Sequence, residues 1–421
     1  MGATARLLKL PTTLAYARGG YSVALQLGSE GIRANVLLDT GSSSLAVTGA
    51  HYDPSRDTAL SATTLAQQIT YGEGNWAGPV LRSRVGVGDR EQLRDVDNAV
   101  FAYVENDGAK FFRDADGIWG MAYRHLDPAH DLSTLLAAQG HDPALTWPWP
   151  YASADAQQQA AFHATLEQQP RVELEPLFSA LESQGVFADR FALQIGRAVV
   201  HVLDDEATAD SLERDPLNSG VLVLGGGEEC QDLYEGGFDD LRVVHDIYYN
   251  VNLISLQVGD RTPLPAPALL PQYQANYASN AIIDTGSSFI MLEASLYDAV
   301  IDAFAAHDAR LPGLVTRFNE AFKSEQGLPN AAIDDADWPT LHLRLEAPDG
   351  SETCLHCEPS HYWQRNAQHA GQSLFLLLRQ VPGWPNQNVL GLPLLSGRYC
   401  IFDRRSGGAG RVRLAKARMR D

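Results

Sequence analysis

The sequence is poor in cysteine, in long apolar runs and in basic charge, and each shortage excludes something. Four cysteines, Cys230, Cys354, Cys357 and Cys400, stand among 421 residues. They are too few and too unevenly spread for a disulfide framework. No segment approaches the ~18 apolar residues needed to cross a bilayer. The opening stretch from Met1 to Pro11 lacks the apolar core of a secretory signal, so export has no support and a cytoplasmic location is expected. Lys and Arg number 32 against 52 Asp and Glu, a formal charge of −20. Such a chain repels phosphate backbones and anionic lipid surfaces, so neither nucleic acid nor membrane is an expected partner. For most of these carboxylates solubility is role enough.

What remains is an ordinary globular composition, 45% hydrophobic and 20% charged, in a chain long enough for two domains of similar size. Cys354-Leu-His-Cys357 is a CxxC with a histidine inside it. A zinc site of this kind normally has a second ligand pair at matching spacing, and none is visible. A redox CxxC usually opens a helix, whereas the preceding Leu341 to Leu345 alternates like a strand. The pair is therefore read as part of a strand or hairpin, and no metal or cofactor is expected.

The strongest internal signal is a repeat. Val36-Leu-Leu-Asp39-Thr-Gly-Ser-Ser43 returns as Ile282-Ile-Asp284-Thr-Gly-Ser-Ser288. Each copy is a short apolar run, as in a buried strand, that breaks into small polar residues, as at a strand end. A second element follows each in turn: Asp116-Gly-Ile-Trp-Gly120, then Asn388-Val-Leu-Gly391. Two elements repeated in order indicate duplication of one domain. Elsewhere β patterns dominate, at Tyr21 to Leu27, Val221 to Leu224 and within Val243 to Val258. Helical spacing is confined to Leu174, Leu177, Phe178 and Leu181, and to Leu296, Ala299, Val300, Ala303 and Phe304. Residues 127–170, with Trp147-Pro-Trp-Pro150 and an Ala/Gln-rich stretch, read as a partly helical insertion whose Trp-Pro pairs either dock it on the body, the favoured reading, or bind a partner. The lobes are expected at 1–205 and 206–421.

Two strand-end aspartates on related lobes define a chemistry. Two close carboxylates cannot both ionise cheaply, so a pair holds one proton and contains both a general base and a general acid. Asp39 and Asp284 are the candidates. Gly41 and Gly286 would let the two loops approach. Thr40 and Thr285 have hydroxyls that can lock them together. Ser42 and Ser287 can each donate to an ionised carboxylate, which lowers its pKa and limits activity to acid.

On these motifs the chain resembles the pepsin family of aspartic peptidases over nearly its whole length, and is most similar to its bacterial branch, the shewasin-like enzymes. Ile69-Thr-Tyr71-Gly-Glu-Gly74 resembles the family's flap hairpin, with Tyr71 as the flap tyrosine beside Gly72 and Glu73. Asp116 to Tyr123, Val389 to Leu392 and Tyr399 to Asp403 resemble further family segments. The resemblance implies a mostly β, two-lobed fold with pseudo-twofold related lobes and a central cleft. It implies a monomeric endopeptidase acting on polypeptides, with an acidic optimum, blocked by pepstatin-type inhibitors. Leu37, Tyr71, Ile118 and Ile290 are expected to line the cleft and favour bonds between large apolar residues. With only about twenty residues before the first strand, no zymogen is expected.

The sequence departs from the family in places. Leu45-Ala46-Val47 stands where a tryptophan usually supports the flap tyrosine, leaving Trp76 or His51 as substitutes. Glu73 replaces a small hydroxyl residue, and is read either as disfavouring acidic substrate side chains or as a solvated tip. Leu392 replaces an aspartate after the glycine. The alternative is a non-catalytic peptide-binding or inhibitor protein on the same fold. Such relatives typically damage one motif, and here both are intact.

Overall fold

The structure is a computed structural model that describes residues 7–49, 51–71, 74–104, 112–151, 162–405 and 409–418; for residues 69–71, 74–76 and 90 only the backbone is described. The fold is mostly β, and the chain forms two compact units: 22–187, and 1–21 together with 188–421. This division differs from the lobe boundary read near residue 205. Strand pairing explains why. Arg190–Ile195 lies before that boundary, yet pairs with Ser219–Leu224 and Arg398–Asp403 beyond it. Leu8–Thr13 likewise pairs with Ser219–Leu224.

In the first unit, six strands close on themselves. Gly74–Val87 pairs with Arg94–Val104, which pairs with Leu45–Thr48, then Gly117–Gly120, then Ile32–Asp39, then Ser22–Leu27. Ser22–Leu27 returns to Gly74–Val87, with Leu25 opposite Val87. Side chains alternate across a strand, so one set turns inward. Leu25, Leu27, Val36, Leu38, Val85, Val96 and Phe101 are that set, and all are buried.

The insertion is partly helical, as read, and also carries β structure. Pro128–Asp131 pairs with Arg171–Glu173 on one side and with Leu65 and Ala66 of strand Ser61–Tyr71 on the other. Ser133–Ala138 is a helix, and residues 162–166 of the Ala/Gln-rich stretch are helical as well. The tryptophans do pack it down. Trp147 meets Tyr103 edge-on at 5.3 Å, and Trp149 packs with Tyr151 and Phe162 over buried Ala66, Leu132, Leu136 and Leu166. Leu174 lies outside the helix Leu177–Ser183 and packs against Val80 and Ala129 instead.

The second unit contains several sheets. One has the order Asn250–Val251, Ala281–Ile283, Asn388–Leu390, Ile290–Leu292, Leu377–Arg379. Another joins Leu264–Pro265, Leu253–Val258, Leu341–Glu346 and Glu352–Cys357. The helix Ala294–His307 begins where the Glu293 carboxylate accepts from Ser295 N and Leu296 N, satisfying two amides that the helix itself leaves free. Leu296, Val300 and Phe304 repeat every four residues and bury one face. All four cysteines are free thiols. No helix among the described residues is long and apolar enough to cross a membrane.

Candidate active site

Asp39 ends the strand Ile32–Asp39, which runs parallel to Gly117–Gly120 with Asp39 opposite Gly120. The apolar run Val36 to Leu38 carries the carboxylate to a strand end where it is only 5% exposed. A carboxylate so placed needs hydrogen bonds to remain charged. Gly41 N donates to Asp39 Oδ1 at 2.7 Å, and the Ser42 hydroxyl donates to Oδ2 in a short bond. Backbone bonds fasten the loop to the neighbouring strand: Met121 N to Asp39 O at 2.7 Å and Ala122 N to Ser42 O at 2.8 Å. Ser43 Oγ donates to Tyr123 O at 2.5 Å.

The second copy repeats this scaffold. Ala281–Ile283 runs parallel to Asn388–Leu390. Asp284 N donates to Leu390 O at 3.2 Å, and Gly286 N donates to Asp284 Oδ1 at 2.8 Å. The likeness extends to the flanking strands. Leu45–Thr48 is antiparallel to Gly117–Gly120 and parallel to Arg94–Val104. Ile290–Leu292 is likewise antiparallel to Asn388–Leu390 and parallel to Leu377–Arg379. Each aspartate strand also pairs antiparallel with one before it, Ser22–Leu27 or Asn250–Val251. The repeat seen in the sequence is thus a repeat of five-strand topology.

The matching serine of the second copy has a different described contact. The Ser287 hydroxyl donates to Phe289 O at 2.9 Å. A hydroxyl has one proton to donate, so Ser287 does not supply a bond to the Asp284 carboxylate. Ser42 thus donates to its carboxylate, while the described donation of Ser287 goes to the Phe289 carbonyl. Ser288, the partner of Ser43 in the repeat, fastens its loop to Gly19 O.

The remaining candidates divide. Thr40 and Thr285 are buried, and Leu37 is half-buried. Ile118 and Ile290 are 3% and 0% exposed. Both belong to the strand cores, where neighbouring strands cover them, and they offer almost no surface to a ligand. Tyr71 ends a strand whose backbone returns as Gly74–Val87, with Tyr71 paired to Gly74. Gly72, Glu73 and the side chains of Tyr71 and Trp76 lie outside the described residues. His51 stands 3.5 Å from Asp116 Oδ1. Leu392 is buried and opens the short apolar helix Leu392–Leu395.

Sequence reading missed a buried polar group behind the first motif. Asp127, 3% exposed, accepts from Ser44 Oγ at 2.8 Å and Gln67 Nε2 at 2.5 Å. Ser44 comes directly after the Asp39 motif, and Gln67 lies on the strand that leads to Tyr71. Asp127 therefore joins the aspartate loop to that hairpin strand. Burial pushes its pKa up to about 6, although the bonds from Ser44 and Gln67 and the charge of Arg124 pull the other way. No local pattern marks Asp127, since an aspartate before a proline reads as an exposed turn.

Two β-rich units, each with Asp-Thr-Gly-Ser-Ser on one strand topology, are the architecture of pepsin-like aspartic proteases. Comparison with known proteins agrees. Residues 20–135 match the family model "Eukaryotic aspartyl protease", and residues 248–406 match "Xylanase inhibitor C-terminal". A beta-secretase of Strongylocentrotus purpuratus is 22% identical across 94% of the chain, which spans 66% of that relative's length. A probable aspartyl protease of Arabidopsis thaliana is 33% identical over 67 residues, 16% of this chain and 13% of its own. By these matches the chain is similar to pepsin-like aspartyl proteases.

Proposed function

We propose that the chain is an aspartic endopeptidase in which Asp39 and Asp284 act as one dyad. The observation that supports this best is the doubled scaffold, in which both carboxylates end a strand of the same topology and each accepts from the glycine amide two residues on. In this reading the pair holds one proton. The ionised member takes a proton from a bound water, which attacks the peptide carbonyl carbon. The protonated member donates a hydrogen bond to the carbonyl oxygen and stabilises the tetrahedral intermediate. Thr40 and Thr285 hold the two loops, and Tyr71 closes the flap over the substrate. Activity belongs to acidic pH, because the one-proton state is lost as pH rises through the upper dyad pKa. Pepstatin-type inhibitors compete with polypeptide substrates. A preference for bonds between large apolar residues rests on Leu37 and Tyr71, since Ile118 and Ile290 are buried.

The test is hydrolysis of an unfolded protein at acidic pH, with and without pepstatin. Asp39→Asn and Asp284→Asn should each lower turnover roughly a hundred- to ten-thousand-fold, the range for losing a general acid or base. Near wild-type turnover in either variant sinks the dyad. A second reading, a non-catalytic peptide-binding or inhibitor protein, draws on the name of the family model matched by residues 248–406. Tight peptide binding by the unaltered protein with no hydrolysis at any pH would favour it.

A further inference from the structure

The antiparallel strands Leu341–Glu346 and Glu352–Cys357 bring together two side chains of the CxxC segment and one from the neighbouring strand. His342 is opposite His356, and Arg344 is opposite Cys354. Side chains alternate along a strand, so Cys354 and His356 share one face and His342 joins them from across the pair. Leu341, Leu343, Leu345, Leu355 and Cys357 take the other face and are buried. Cys357 Sγ lies 3.6 Å from Pro393 O. The two cysteines of the motif therefore face opposite ways, which rules out the pair as a ligand unit or a disulfide. The pairing replaces Cys357 with a histidine from the neighbouring strand.

The geometry of this cluster is that of a chelate. The two imidazoles meet Nδ1 to Nδ1 at 2.7 Å, with ring planes at 87°. The ligand atoms of His342, Cys354 and His356 all lie within 4.8 Å of one another. His342 and Cys354 are half-buried and His356 is exposed, so a cation can reach the cluster from solvent. Two neutral imidazoles facing through Nδ1 can hold only one proton between those atoms.

We propose that His342, Cys354 and His356 form a binding site for a divalent cation of borderline softness, with zinc as the model, and a solvent molecule as fourth ligand. Two imidazole nitrogens and a thiolate suit such an ion. Magnesium and calcium need oxygen donors, which this cluster lacks. With metal–nitrogen bonds of about 2.0 Å, the nitrogens of a tetrahedral site lie about 3.3 Å apart, so the rings need part only slightly. The proton between the rings moves to the solvent-facing Nε2 of the ring that held it. Cys354 releases its thiol proton, so each cation bound frees one proton. The bound ion clamps the two strands across their open face.

Cobalt(II) alone, titrated into the full chain under reducing conditions, tests this site. One equivalent should bind, with a thiolate-to-cobalt charge-transfer band and visible bands of tetrahedral intensity, and zinc should displace it. Cys354→Ser should remove the charge-transfer band. His342→Gln and His356→Gln should each weaken binding by at least about tenfold, the usual cost of disturbing even an outer partner of a ligand. These three positions are on the open face, so circular dichroism should show the variants folded. Zinc should raise the Tm of the unaltered chain and leave that of Cys354→Ser unchanged. Cys357→Ala should keep the band. Absence of the band in the unaltered chain, or its survival in Cys354→Ser, overturns the proposal.

Discussion

The two copies of Asp-Thr-Gly-Ser-Ser share five residues and part company at the sixth, where the first has Ser44 and the second Phe289. Ser44 turns into the buried polar group of Gln67 and Asp127. Phe289 packs edge-on against Phe322, ring centres 5.8 Å apart. The neighbouring hydroxyls differ as well. Ser42 serves the Asp39 carboxylate, and Ser287 serves the carbonyl of Phe289. Identical residues on matching strands thus make different contacts in the two copies. Backbone pairing sets where the carboxylates lie, and the sixth residue helps set what surrounds them.

The shared part of the scaffold depends on one glycine in each copy, and breaking it should have the largest effect. A Cβ on Gly120 would fall on the backbone of Ser43, and a Cβ on Gly391 on the carbonyl oxygens of Phe289 and Ser287. These loop segments are fastened by backbone hydrogen bonds, Gly120 N to Ser44 O and Leu392 N to Ser287 O, so they cannot yield cheaply. Gly120→Ala and Gly391→Ala should each cost about 3 kcal/mol or more, the upper range for overpacking. Gly313→Ala is the control. It meets nothing within 4 Å and lies in the helix Leu311–Phe322, where alanine should be neutral or stabilising by up to about 1 kcal/mol. Denaturant unfolding measures all three. A tolerated alanine at only one of the paired glycines would show that the copies are packed differently at their closest approach.

The next effect is confined to the first copy. The Asp127 carboxyl has a folded pKa of about 6 because it is buried, against 3.8 without the fold. A raised carboxyl pKa means that the fold favours the protonated form. The corresponding stability is present in full below ~4 and lost as pH rises through ~6. At about 1.4 kcal/mol per pKa unit the loss approaches 3 kcal/mol. Asp127→Asn keeps an oxygen for Ser44 and Gln67 and cannot ionise. Between pH ~4 and ~7 the chain should lose about 3 kcal/mol relative to this variant. Parallel stability profiles for the two proteins would refute the account.

How much of the molecule is legible in its sequence depends on the range of the interaction. The doubled motif and its return segments are legible because each is a contiguous run with its own strand-end pattern. The strands at Val221 to Leu224 and Leu341 to Leu345 are legible for the same reason. What the sequence hides depends on register. The pairing of His342 with His356, the β character of Pro128–Asp131, and the pairing of Arg190–Ile195 across the expected lobe boundary all join segments far apart in sequence. Burial of Ile118 and Ile290 is also hidden, because an apolar residue beside a catalytic motif looks the same whether it lines a site or fills a core. The Ser287 contact fails at shorter range. A hydroxyl with one proton chooses between two acceptors, and the motif does not say which.

That choice yields the smallest and most specific prediction. The Ser42 hydroxyl donates to the Asp39 carboxylate. In the dyad we propose, its removal leaves the ionised form of the pair less well solvated. The one-proton state then survives to higher pH. A hydrogen bond to a charged group contributes about 1.5–3 kcal/mol when well formed, and this one is only partly buried, so the shift should be about one pH unit. In the pH profile of kcat/KM, Ser42→Ala should move the alkaline limb upward by that amount. Ser287→Ala should leave it nearly in place, because its hydroxyl proton goes to Phe289 O. Equal shifts in the two variants would mean that Ser287 turns to Asp284 in solution, and the contrast between the copies would vanish. A shift in Ser287→Ala alone would invert it. Measuring both variants on one substrate, with melting curves at each pH, separates a change in proton affinity from a change in the fraction folded.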